Sequence, residues 1–78
     1  MDYYTEARGI ASCLERDGFR KEALSLSEAI EGGSTGTEIL MALRWHLDRI
    51  DKANLATNLH TRQRIRTVRD AISTALKG

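Results

Sequence analysis

Few side chains in this sequence are placed to do chemistry, and their spacing narrows what they can do. The stretch Gly32-Gly33-Ser34-Thr35-Gly36-Thr37 has the glycine and hydroxyl content of a phosphate cradle, because backbone N–H groups at a helix start attract anions. A P-loop also needs a preceding strand and a lysine ahead of its Ser/Thr. Both are missing, so the stretch reads as a loop and a helix cap. His46 and His60 have no carboxylate or second histidine at one-turn spacing, so no metal site is expected and no cofactor is implied. His46 is expected to be a packed, hydrogen-bonded histidine at the edge of an apolar stripe, and His60 a solvent-side residue near a helix start. Cys13 lies beside the acidic residues Glu15 and Asp17, neighbours that disfavour a nucleophilic thiolate. A hydrolase built on paired carboxylates would need two of them converging in a cleft, which four short helices have little room to form. No enzyme activity is expected.

Two charged features remain. Arg62, Arg66 and Arg69 fall one turn apart on the flank of the last helical pattern, where arginines can track phosphates or enter a groove. Glu22, Glu28 and Glu31 surround the apolar Leu24; carboxylates in such a setting can mimic phosphates and steer association with a basic surface. Residues 1–31 hold four basic against seven acidic side chains, and residues 57–78 five basic against one acidic. The chain is therefore bipolar although its net charge is only +1 and its isoelectric point about 7.9. Either charged end can equally be a solvated face, and the basic stripe can pair with the acidic first helices inside the fold.

These groups must be carried by helices. At 41% hydrophobic, 29% charged and 5% aromatic residues with no proline, the composition suits a helical domain better than a sheet sandwich. Seventy-eight residues make one domain, near the lower size limit for a core without metal or disulfides. The single cysteine excludes an internal disulfide, and with no hydrophobic leader a reducing, cytoplasmic setting is expected. The longest apolar run, 39–43, is too short to cross a membrane.

Periodicity predicts four helices. The first spans 3–17, with Asp2 as N-cap, Gly18 as a left-handed stop and Tyr3, Ala7, Ile10 and Leu14 as its buried stripe. Gly9 inside it implies a marginal helix or a close approach to a neighbouring backbone. The second, 19–31, turns Phe19, Ala23, Leu26 and Ile30 inward and Leu24 outward, antiparallel to the first. In the third, Thr35 and Glu38 form a capping box, and Ile39, Leu43, Leu47 and Ile50 share a face with Leu40 at its edge. A connection follows within 52–57, with Asn54 and Thr57 as turn or cap residues. The last helix, 58–76, buries Ile65, Val68, Ile72, Ala75 and Leu76. An all-α, up-and-down bundle of four short helices is the simplest assembly.

Met41 and Trp45 lie one turn apart on the side of the third helix opposite its apolar stripe. Either that helix is buried on both sides, the more ordinary arrangement, or the pair marks a binding surface. Residues 23–47, reading Ala-Leu-x-Leu-x-Glu-Ala-Ile-x-Gly-Gly-Ser-Thr-Gly-Thr-Glu-Ile-Leu-Met-Ala-Leu-Arg-Trp-His-Leu, resemble a segment of small helical proteins from bacterial toxin neighbourhoods. Such proteins serve as immunity partners, including in contact-dependent growth inhibition. The resemblance covers about a third of the chain and implies a cytoplasmic, non-enzymatic protein that binds and neutralises a cognate toxin, often a nuclease. On that reading Glu22, Leu24, Glu28, Glu31, Met41 and Trp45 are the candidate contacts. The alternative is a small nucleic-acid-binding regulator using Arg62, Arg66 and Arg69; the near-neutral charge and the lack of a helix-turn-helix glycine weigh against it. A purely structural helical module would differ from the first reading only in its partner.

Overall fold

A computed structural model describes residues 1–55 and 58–78. Four helices, α1 (Tyr3–Arg16), α2 (Arg20–Gly32), α3 (Gly36–Lys52) and α4 (Leu59–Leu76), follow one another in an up-and-down bundle. Each packs on its neighbour in sequence, and α1 closes the ring against α4. No helix is long and apolar enough to cross a membrane among the described residues.

The helix ends follow from local chemistry. Asp2 caps α1, its carboxylate accepting from the Thr5 backbone N–H at 3.2 Å and from the Thr5 hydroxyl at 2.8 Å. Both bonds favour the ionised form and hold the carboxyl below its ordinary range. At the other end Gly18 takes φ +93°, which an L side chain rarely adopts. That conformation lets Phe19 N–H reach Leu14 C=O at 2.8 Å and Gly18 N–H reach Glu15 C=O at 3.1 Å, the paired bonds of a Schellman turn. Phe19 thereby lands against the core rather than starting the helix, which begins at Arg20.

Thr35 Oγ1 accepts from Glu38 N–H at 3.2 Å. The Glu38 carboxylate reaches back to the Ser34 N–H, also at 3.2 Å, one residue earlier than a standard capping box. After α3, Asn54 adopts a left-handed φ of 51°, and its side-chain carbonyl accepts from Arg62 at 2.8 Å. Asn58 caps α4. Thr57, the other expected turn residue, lies outside the described residues.

The core consists of Ala7, Ile10, Ala11, Leu14, Ala23, Leu26, Leu43, Leu47, Ile50, Ile65, Val68 and Ile72. Tyr3, Phe19, Ile30, Ile39, Leu40 and Leu76 pack partly against it. Two residues differ from the periodic pattern. Ala11 is buried beside Ala7 and widens the α1 stripe, whereas Ala75 is exposed. Arg64 lies over Gly9, which marks the antiparallel register of α4 on α1.

Gly9 faces a side chain rather than a neighbouring backbone. A Cβ there would run into the Arg64 guanidinium, which pairs with Glu6 at 3.3 Å. A Gly9→Ala substitution gains about 1 kcal/mol of helix propensity. It displaces only a flexible, partly exposed ion pair, worth roughly 0–1 kcal/mol. Chemical denaturation is expected to find the variant as stable as the parent or slightly more so; a clear loss would show that Arg64 cannot move aside.

Candidate interaction surface

The outward face of α3 carries the chain's most exposed aromatic side chain. Trp45 is 55% exposed and Met41 51%. The expectation that α3 is buried on both sides is therefore incorrect: four helices form a single ring, so each has one side facing the core, and among the described residues no helix packs across the outer face of α3. The Trp45 ring does not hang free. Its edge meets the His46 ring at 4.9 Å between centroids, and the Arg49 guanidinium lies 4.8 Å from its centre, within cation–π range.

His46 is half-buried as expected. Its packing is against Trp45, and no hydrogen bond to its side chain is seen among the described residues. Burial, with a further contribution from Arg49, holds its pKa below the ordinary imidazole value against the opposing pull of Glu28, which favours the neutral ring. His60 is exposed in the first turn of α4. Cys13 is a free, partly exposed thiol. No group of acidic, histidine or cysteine side chains suited to a metal is present among the described residues.

The acidic candidates are divided among separate depressions. Glu28 lines a groove of about 400 Å³ between α2 and α3 with Ser25, Glu38, Ala42 and His46. Glu22 falls in a smaller crevice of about 130 Å³ with Lys21, His46, Arg49 and Leu55. Leu24, 50% exposed, lies on the far side of α2 in the groove facing α1, beside Arg8, Glu15 and Arg20. Glu31 is exposed near the end of α2. Of the six candidate contacts, Met41 and Trp45 share one groove of about 380 Å³ with Arg44, Asp48, Arg69 and Ser73. Glu28 belongs to the groove on the other flank of α3.

Arg62, Arg66 and Arg69 have partners, and these come from α3, the turn after it and α4 itself rather than from the acidic first helices. Arg69 bonds Asp51 at 2.7 Å and reaches Asp48 at 3.5 Å and Asp70 at 3.1 Å. Arg66 bonds the other Asp51 oxygen at 2.9 Å, and Arg62 is held by Asn54. Arg64, which the basic stripe did not include, reaches α1, through Glu6. The spacing that put three arginines on one flank was legible; the acids opposite them were not, because Asp48 and Asp51 become their neighbours only when α3 and α4 pack.

Asp51 is the hub of this network. Partial burial works against its charge, but hydrogen bonds and charge from Arg66 and Arg69 more than offset this and lower its pKa below the ordinary carboxylate value. A depressed folded-state pKa stabilises the fold above the unfolded pKa of about 3.9. The contribution fades as pH falls through that value and then through the lower folded one. Asp51→Asn is expected to cost about 1–2 kcal/mol at pH 7 and to flatten the acid side of the stability profile. Thermal melts of both chains between pH 7 and 3 check this; parallel profiles would remove Asp51 from the account.

Thr61 is a buried exception. Its hydroxyl has no hydrogen-bond partner among the described residues, while its backbone N–H donates to the Asn58 cap at 2.9 Å.

Compared with known protein families, curated proteins and solved structures, the chain matches none.

Proposed function

We propose that the protein is a bacterial immunity protein that binds a cognate toxin, most readily one of nuclease type, and neutralises it by stoichiometric occlusion in the cytoplasm, without chemistry of its own. The observation that carries this reading is the Met41–Trp45 pair, more than half exposed on a helix whose opposite face is fixed in the core. Tryptophan is enriched among residues that dominate binding energy. Arg49 and His46 already hold the indole in place, which lowers the entropy lost when it docks. Glu28 and Glu38 line the adjoining groove and would favour a basic partner surface. The resemblance of residues 23–47 to immunity partners points the same way.

The nucleic-acid alternative gains nothing from the fold, since Arg66 and Arg69 already face carboxylates and Arg62 an amide. Phosphate contacts by these residues would have to compete with those bonds. The test is co-purification of the tagged protein with the product of the reading frame immediately upstream, followed by growth rescue. An equimolar complex that restores growth supports the proposal. No complex and no rescue would overturn it, and steeply salt-dependent nucleic-acid binding lost on replacing Arg62, Arg66 and Arg69 would put the regulator in its place.

A further inference from the structure

We infer that the outer face of α3 also pairs with the same face of a second copy of this chain, antiparallel about a two-fold axis near Trp45. Met41, Trp45 and Lys52 follow one another along the outermost line of α3, apolar residues first and a base last. Arg44 and Asp48 lie on the flank toward α4, lining a groove with Arg69. Arg49 and Glu38 lie on the flank toward α2, each lining a depression there.

A two-fold axis lying between the helices and across them brings like flanks together and reverses their order. Arg44 then meets Asp48 of the second copy, and the reverse, on one flank. Glu38 meets Arg49 and Lys52 of the second copy on the other. Trp45 meets its counterpart at the centre, flanked by the Met41 of each copy, beside a groove of about 380 Å³. Every charge on the line faces its opposite, and the helix dipoles oppose as well. A parallel pairing would instead set Glu38 on Glu38 and Lys52 on Lys52, which costs association.

One helix face gives an interface below the standard size, so the dimer is weak and reversible, with a dissociation constant of roughly 10–100 µM. The pairing does not depend on what else this face binds. It does cover Met41 and Trp45, so self-association and capture of another protein would exclude each other.

The experiment is sedimentation equilibrium of the full chain up to roughly 1 mM, with helical circular dichroism of each variant as the check on folding. The expected result is a monomer–dimer equilibrium that Trp45→Glu weakens by about a hundredfold. Arg44→Glu and Asp48→Arg should each weaken self-association about tenfold, whereas an equimolar mixture of the two should associate about as tightly as the parent, because every flank pair is again opposite in charge. A parent that stays monomeric throughout, a dimer indifferent to Trp45→Glu, or a mixture no tighter than its components would overturn the inference. Since Asp48→Arg also gives up contacts with Arg69 and Lys52, Trp45→Glu decides the matter if that variant does not fold; Trp45 is over half exposed and makes none of those contacts.

Discussion

Replacing Trp45 by alanine is expected to leave the fold intact and to weaken capture of the proposed partner by about 2 kcal/mol or more, roughly thirtyfold in affinity. The two halves of this expectation have separate origins. An indole that is 55% exposed gives up little buried area when removed, and its contacts with His46 and Arg49 are surface contacts, so the stability change should stay within about 0.5 kcal/mol. In a complex the same ring would be desolvated, and its loss would leave a hole at the centre of the contact. Denaturation midpoints and calorimetric titration against the partner separate the effects. A stability loss of several kcal/mol with unchanged affinity per folded molecule would move Trp45 from the interface to the fold.

The largest effect on the fold itself is expected from Leu47→Ala. Leu47 has no exposed surface and belongs to the single core, from a helix that packs on both α2 and α4. Truncating such a leucine removes transfer energy and leaves a cavity that its neighbours fill only in part, a loss of about 3–5 kcal/mol. A domain of this size holds roughly 4–12 kcal/mol in all. Urea denaturation should therefore show a midpoint lowered by a large fraction of its parent value. A shift of under about 1 kcal/mol would mean that the bundle collapses around the gap.

The contrast between Trp45 and Leu47, two residues apart on one helix, shows how far the sequence could be read. The stripe of Ile39, Leu43, Leu47 and Ile50 follows from a 3.6-residue period, and so do the stripes of α1 and α2. The caps at Asp2 and Thr35 and the stop at Gly18 are local chemistry, decided within four residues of chain, and were legible for that reason; the α4 cap was not, since Asn58, expected as the first residue of the helix, is its N-cap. What periodicity cannot supply is how many helices surround a given one. The burial of Trp45 turned on that number, and the expectation failed there. The same limit applies to the surface. Asp48 and Asp51 are unremarkable acids on α3 until α4 brings Arg66 and Arg69 to them, and Glu22, Glu28 and Leu24 look like one cluster along the chain although the helix turns them toward different grooves. Gly9 lies between these cases: a close approach was expected from the glycine alone, but its partner, Arg64, is 55 residues away.

The ring order of the bundle also bears on how quickly it forms. The main helix contacts join sequence neighbours across links of three to six residues, except α1 against α4, which spans the chain. Closing short loops costs little chain entropy, and helical proteins dominated by such local contacts fold in microseconds to milliseconds. The contact that must wait for the most distant segments is the one where Arg64 settles over Gly9 and meets Glu6. A newly made chain would thus have α1, α2 and α3 able to pack in turn as they emerge, with α4 adding both its own core stripe and the carboxylate partners' arginines last.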